Sequence, residues 1–243
     1  MTGKERVLAR LRGEATDCLP LLPITMMFAG DTAGIRYGEY AREARNLAAA
    51  QLKTAETFDF DYVSVISDPA REASDLGAAV EWFEDQPPAI NEAQALIDAP
   101  GKLKELPAPE GFLGRRMEDR LEGVRLLKAA AGGALVVEGW VEGPCALAAD
   151  LRGVNTLMLD LYDDPGFVED LFDYVVAMEV GFAKRQVEAG ATMIGIGDAA
   201  ASLIGPKFYE RYVQPRERRM IGAIQALGVP ARLHICGNTR RLL

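Results

Sequence analysis

The residues best suited to chemistry are His234 and Cys236, which stand two positions apart at the end of a short apolar run. Side chains two positions apart on a β-strand point to the same face, so the imidazole and the thiolate would project together. Zinc accepts both nitrogen and sulfur ligands, and a catalytic site needs three protein ligands and one open position. The pair would therefore supply two of three ligands. The alternative is that both side chains only fill a buried strand end, where a free cysteine behaves as a small apolar residue.

Three carboxylates also follow predicted strands: Asp68, Glu142 and Asp198, each beside glycine or proline. The chemistry of α/β proteins gathers at the carboxyl ends of parallel strands, so these residues are predicted to be catalytic. Each also has a plainer interpretation. Asp68 before a proline can simply form a turn, Asp198 can cap the next turn, and Glu142 can be a solvated charge at the rim.

The elements that would position these residues are short apolar strands alternating with long helical segments. Helices are predicted between the strands, and the clearest begins at Asp164 and Pro165 and ends at Gly190. Such alternation predicts a parallel sheet with right-handed crossovers. A further strand, Ala79–Phe83, precedes a proline-rich segment, 84–118, that is predicted to be a loop-rich insertion. The strands predicted for the sheet are Leu21–Phe28, Tyr62–Ile66, Ala134–Val141, Thr192–Ile196 and Ala231–Ile235.

Composition excludes several classes of protein. The chain has 243 residues and a net charge of −9, which argues against binding nucleic acid but leaves room for a local basic pocket. Three cysteines are too few for a disulfide framework, and no apolar run approaches the ~18 residues of a membrane span. No glycine-rich phosphate-binding motif follows the first predicted strand. The cytoplasm is the expected compartment.

Two longer motifs carry a resemblance to a known family. The run from Gly205 to Pro215, GPKFYERYVQP, and the later LHICGNT ending at Thr239 are similar to the uroporphyrinogen decarboxylase superfamily. Asp68 and Glu142 also fall where that superfamily has related motifs, and the resemblance covers essentially the whole chain. It implies a single TIM (β/α)8 barrel. The sequence HICGNT in particular resembles the zinc-dependent methyltransferase branch, which handles methylcobalamin and thiol coenzymes.

The resemblance implies a function and its cofactors. His234 and Cys236 would bind zinc, and a thiol held by the zinc as thiolate would exchange a methyl group with a corrinoid, methylcobalamin acting as donor or acceptor. Asp68 and Asp198 would position the substrate. The implied partners are a small thiol or methylated substrate and a separate corrinoid protein, with neither nucleic acid nor membrane; a homo-oligomer is left open. In this branch a second, more distant cysteine completes the site, and neither Cys145 nor Cys18 is an obvious substitute.

Two alternatives remain open. A metal-free decarboxylase of a tetrapyrrole or another polycarboxylate would use Asp68 as its central polar group. That branch, however, grips substrate carboxylates with an arginine motif where this chain has only Met26–Gly30, and it has a tyrosine near the position of Asp150. The other alternative is an inactive or binding-only fragment. Only about five of eight βα units are predicted, so we expect one barrel domain, 1–243, truncated at its C-terminus, with the third zinc ligand beyond residue 243.

Overall fold

A parallel sheet of four strands forms the centre of the molecule, in the order β1-β4-β5-β6. The structure is a computed structural model that describes residues 1–242. A separate two-stranded antiparallel hairpin, β2 with β3, lies outside the sheet. The strands are β1 (Tyr62–Ser64), β2 (Val80–Glu81), β3 (Ala89–Ile90), β4 (Val136–Glu142), β5 (Met193–Gly197) and β6 (Ala231–His234).

Helices surround the sheet and supply the crossovers between its strands. The first begins at a capping box in which Thr2 and Glu5 bond each other's backbone N–H groups. The α-helices are α1 (Gly3–Leu11), α2 (Met26–Ala33), α3 (Tyr37–Arg42), α4 (Ala44–Phe58), α5 (Ala70–Leu76), α6 (Arg115–Ala131), α7 (Pro144–Arg152), α8 (Val154–Asp163), α9 (Pro165–Ala189), α10 (Pro206–Phe208) and α11 (Gln214–Ala226). The α/β architecture with a parallel sheet is the expected fold class.

The two faces of the sheet differ sharply. One face packs against the helices through apolar side chains such as Val63, Val137 and Ile194, which are all buried in the main core. Side chains alternate along each strand, so the residues between them point to the opposite, concave face. Toward the carboxyl ends of the strands that face carries polar and aromatic side chains, whereas Val136 and Met193 at the other end of the strands belong to a small buried apolar cluster.

The register places the concave-face residues in rows. Glu142, Gly197 and His234 form the row nearest the carboxyl ends of the strands, because Glu142 pairs with Gly197 and Gly197 with His234. Neighbouring strands lie about 4.8 Å apart, so the backbones of Glu142 and His234 are separated by about 10 Å. In the row below, Trp140 pairs with Gly195 and Gly195 with Arg232.

The predicted first strand, Leu21–Phe28, is wrong. Its first half is irregular and its second half belongs to α2. Pro20 and Pro23 have no backbone N–H, so this segment cannot sustain a ladder of hydrogen bonds. What remains is one backbone bond, from the Asp61 N–H to the Leu21 carbonyl oxygen (3.1 Å), beside the start of β1.

The other four strands of the predicted sheet are confirmed with shifted ends. The strand predicted over Ala79–Phe83 exists as β2, but its partner β3 lies inside the segment 84–118, which otherwise contains 3₁₀ turns and the start of α6. A π-helical segment, Tyr209–Val213, lies between α10 and α11, just before Pro215. Within residues 1–242 the sheet does not close into a barrel. No helix in that range is long and apolar enough to cross a membrane.

We expect Gly195 and Gly197 of β5 to be required for the Trp140 side chain to pack against this strand. A Cβ atom at Gly195 would collide with the six-membered ring of Trp140. The change Gly195→Ala should therefore lower the free energy of unfolding by about 1–3 kcal/mol, the usual cost of overpacking. Gly222→Ala is the matched control, because that glycine lies mid-helix with nothing within 4 Å and alanine there should stabilise the helix by up to about 1 kcal/mol. Equal denaturant midpoints for the two variants would contradict this packing.

Candidate active site

His234 and Cys236 are brought together at the end of β6, as the sequence predicts. The imidazole Nε2 and the thiol Sγ lie 3.2 Å apart. Typical Zn–N and Zn–S distances and a tetrahedral angle require a separation of about 3.6 Å, so the two donor atoms fit two corners of a zinc site. In the described part of the chain, no three His, Cys, Asp or Glu side chains form a group that could hold a metal ion. Within residues 1–242 neither Cys145 nor Cys18 joins this pair as a third candidate donor.

Backbone contacts hold this pair in place. The Asp198 N–H donates to the His234 carbonyl oxygen (2.9 Å), which ties the end of β6 to β5. Directly after Cys236, Gly237 turns the chain with a φ of 84°, a left-handed conformation that favours glycine. Burial, with a smaller effect of the nearby Arg232 charge, lowers the pKa of His234 below its usual range. The imidazole is therefore neutral at neutral pH, the form that binds metals.

Glu142 occupies the same row of the concave face. Its side chain leans over β5, since a Cβ atom at Gly197 would lie 3.2 Å from Oε2 of Glu142. The other oxygen, Oε1, accepts a hydrogen bond from Trp140 Nε1 (3.0 Å). Burial first, and then the charge of Glu72, raise the pKa of Glu142 well above its ordinary value. The raised pKa favours the protonated form of this carboxyl group, which can donate a hydrogen bond.

A buried network behind Glu142 was not predicted. Arg120 pairs with Glu72 at 2.5 Å and donates to the Trp140 carbonyl oxygen at 3.1 Å. Glu179, on α9, is fully buried and neither of its carboxyl oxygens has a hydrogen-bond partner within residues 1–242. Burial and the nearby carboxylates Glu72 and Glu142 raise the pKa of Glu179 well above its usual range. No sequence signal joins these residues, because they lie on separate helices.

Asp68 lies beyond the end of β1, on the far side of the sheet from β6. Its Oδ2 accepts hydrogen bonds from Arg116 Nη2 (2.8 Å) and Ser67 Oγ (2.7 Å), while its buried Oδ1 has no partner within residues 1–242. Burial raises the pKa of Asp68, but the positive charges of Arg116 and Arg71 outweigh it and leave the pKa below its ordinary value. Asp68 is thus an ionised carboxylate. Three strand spacings, about 14 Å, separate β1 from β6.

Asp198 points away from the concave face. Gly197 lies on that face, so the next residue projects toward the helices, and a Cβ atom at Gly143 would collide with the Asp198 carboxyl group. Asp198 accepts a hydrogen bond from the Ala146 N–H (2.6 Å) at the start of α7. It is fully buried, and burial followed by the charge of Glu217 raises its pKa well above the ordinary value. This placement supports a capping role and gives no support to contact with substrate.

The unpartnered Glu179 carboxyl should make stability depend on pH. Folding raises the pKa of this carboxyl group, so the folded state binds its proton more tightly than the unfolded state does. The free energy of unfolding therefore falls as the pH rises above the unfolded-state pKa of about 4.3. Glutamine does not titrate, so Glu179→Gln removes this decrease in the free energy of unfolding. The variant should equal the wild type near about pH 4 and exceed its free energy of unfolding by about 1 kcal/mol or more near about pH 8. Chemical denaturation across this range measures the difference.

The control is Glu188→Gln, an exposed glutamate on the same helix, which should leave the pH dependence unchanged. Parallel stability curves for the wild type and Glu179→Gln would show that Glu179 is not held as a neutral acid.

The sequence of this chain is similar to those of one known protein family. The family described as "Uroporphyrinogen decarboxylase (URO-D)" matches residues 2–243. The methylcobamide:CoM methyltransferase MtbA of Methanosarcina acetivorans is 30% identical over 98% of this chain and 71% of its own length. A uroporphyrinogen decarboxylase of Streptomyces coelicolor is 32% identical, but over only 46% of this chain and 33% of its own length.

The fold is similar as well. A solved methyltransferase from Methanosarcina mazei superimposes with a TM-score of 0.83, covering 100% of this chain and 72% of the other, at 22% identity. The match to the methyltransferases extends along nearly the whole chain, whereas the match to the decarboxylase covers less than half. Sequence and fold agree, and the chain belongs to the uroporphyrinogen decarboxylase family.

Proposed function

We propose that this protein is a methyltransferase that exchanges a methyl group between a corrinoid and a thiol. The observation that carries the proposal is the convergence of His234 Nε2 and Cys236 Sγ at 3.2 Å, at the carboxyl end of a sheet strand. The chain's similarity to the methylcobamide:CoM methyltransferase MtbA over 98% of its length supports it. Methylcobalamin serves as methyl donor or acceptor.

His234 and Cys236 are suited to bind a zinc ion as two of its ligands. His234 would contribute a neutral imidazole and Cys236 a thiolate, with a further ligand from outside residues 1–242. Bound zinc would keep an acceptor thiol ionised at neutral pH, since a coordinated thiol loses its proton. Cys236 is exposed, so the substrate thiol can reach this position and its proton can pass to water.

Two carboxyl groups whose pKa values are shifted in opposite directions face the ligand region in this proposal. Glu142 lies in the same row as His234, and its raised pKa favours the protonated form, which can donate a hydrogen bond to the substrate. Asp68, ionised and held by Arg116, offers its unpartnered Oδ1 as an acceptor. Groups whose surroundings separate their pKa values in this way can take distinct roles in one site. Here they orient the substrate, and Asp68 lies far enough from β6 to contact a large ligand at its other side.

The partners follow from this reaction. One is a small thiol or its methylated form, and the other is a corrinoid presented by a separate protein. We place the protein in the cytoplasm, because its few scattered cysteines suit a reducing compartment and its sequence has no long apolar run.

The double change His234→Ala and Cys236→Ala tests the proposal. It should remove bound zinc and slow thiol-dependent demethylation of methylcobalamin by about 100-fold or more, since even residues behind a metal ligand contribute 10–100-fold. Metal analysis and the absorbance of the corrinoid measure the two effects. The control is Cys18→Ala, an exposed cysteine near the N-terminus, which should change neither.

Zinc content and demethylation that survive the double change would refute this mechanism. Release of carbon dioxide from a tetrapyrrole by the metal-free protein would instead favour the decarboxylase reaction.

Asp198 is expected to act as a capping residue of α7. Asparagine can still accept the hydrogen bond from the Ala146 N–H, so Asp198→Asn should keep methyl transfer close to the wild-type rate. Asp198→Ala leaves the start of α7 uncapped and should lower the free energy of unfolding by about 1–2 kcal/mol. If Asp198→Asn abolishes methyl transfer without changing stability, Asp198 contacts the substrate, as its sequence position suggested.

A further inference from the structure

A pocket on the rim of the molecule is unusually basic for a chain with a net charge of −9. It has a volume of about 380 Å³ and lies between the end of α3, the β2–β3 hairpin and the start of α6. Three arginines line it together with one tryptophan and two acidic residues. The lining residues are Arg42, Glu43, Trp82, Arg115, Arg116 and Asp119.

The acidic residues do not neutralise the arginines. One carboxylate oxygen of Asp119 accepts a hydrogen bond from the Ala44 N–H (2.9 Å). The other accepts one from Arg71 (3.1 Å), an arginine outside the pocket lining. Glu43 is exposed and, within residues 1–242, forms no ion pair. Arg116 is paired with Asp68 (2.8 Å), so the guanidinium groups of Arg42 and Arg115 remain for the single carboxylate of Glu43.

The arginines of the pocket have hydrogen-bond donors that are available to a ligand. Nη1 of Arg116 is buried and has no hydrogen-bond partner within residues 1–242. In the same part of the chain, Arg42 and Arg115 form no ion pair. A buried donor without an acceptor is costly, so a group that supplies acceptor oxygens would stabilise this arrangement.

Trp82 orders two of these guanidinium groups. The Cζ atom of Arg42 lies 4.6 Å from the centre of the indole ring, and that of Arg116 lies 4.8 Å from it. Cation–π stacking uses the flat face of a guanidinium and leaves its N–H edge free. The ring thus holds two rigid donor forks beside the pocket, which reduces the entropy lost when they bind a ligand.

We propose that this pocket binds an oxyanion, a phosphate or carboxylate group carried by a small molecule. Arginine forks pair with both groups through two parallel hydrogen bonds. Nη1 of Arg116 would donate a hydrogen bond to the anion, while Nη2 continues to donate to Asp68. This single side chain connects the pocket to Asp68. The pocket does not involve His234 or Cys236, so its existence is independent of the proposed methyl transfer.

Trp82 offers a direct readout. The chain has two tryptophans, and Trp82 is 37% exposed whereas Trp140 is 3% exposed. Titration with inorganic phosphate, and separately with citrate, at constant ionic strength should change the tryptophan fluorescence with saturation. Arg42→Gln with Arg115→Gln should weaken the apparent affinity about 100-fold, roughly tenfold for each charged hydrogen-bonding group. Trp82→Phe should lose the fluorescence change.

A charge-matched control separates binding from screening. Arg10→Gln with Arg185→Gln removes two exposed arginines from other surfaces and should leave the titration unchanged. Tighter binding of phosphate identifies a phosphoryl group as the ligand chemistry, and tighter binding of citrate identifies a carboxylate. The proposal is overturned if neither anion gives a saturable change, or if both double variants titrate like the wild type. Either failure would leave the methyl-transfer proposal standing.

Discussion

The contact between the Trp140 indole and the bare backbone of β5 is the constraint on which the site depends. A Cβ atom at Gly195 would overlap the ring, and one at Gly197 would lie 2.8 Å from it. With the ring lying across β5, its N–H reaches Glu142 and the carboxyl group leans over Gly197 toward the strand that carries His234. Two glycines thus allow the concave face to place a large aromatic ring, an acid and an imidazole on three neighbouring strands.

Electrostatics divide the surrounding residues into two kinds. On the β1 side, arginines outnumber their partners, so Asp68 stays ionised and guanidinium donors remain free. Behind β4, by contrast, one arginine, Arg120, faces three buried glutamates, and burial raises the pKa of two of them, Glu142 and Glu179. Such burial costs stability, and proteins tolerate the cost mostly at functional sites. The β1 side is therefore suited to binding anionic groups, and the region behind β4 is suited to donating a hydrogen bond from a protonated carboxyl group.

The sequence predicts much of this arrangement, for identifiable reasons. The spacing of His234 and Cys236 and the positions of strand ends follow from the two-residue period of a strand. The orientation of Asp198 does not, because a strand buried on both faces, such as Met193–Gly197, shows no polar alternation that would reveal which face each residue takes. The signal against a strand at Leu21–Phe28 was present in Pro20 and Pro23. Arg120, Glu179 and Trp82 meet their partners only through tertiary packing.

The proposed reaction requires that His234 and Cys236 together bind a metal ion at the end of β6. X-ray absorption spectroscopy at the zinc edge tests this most directly, because it counts nitrogen and sulfur ligands. Against the zinc-loaded wild type, Cys236→Ser should lose one sulfur ligand and His234→Ala one nitrogen ligand, with the remaining ligands unchanged. Identical zinc spectra for the wild type and both variants would show that neither side chain is a zinc ligand.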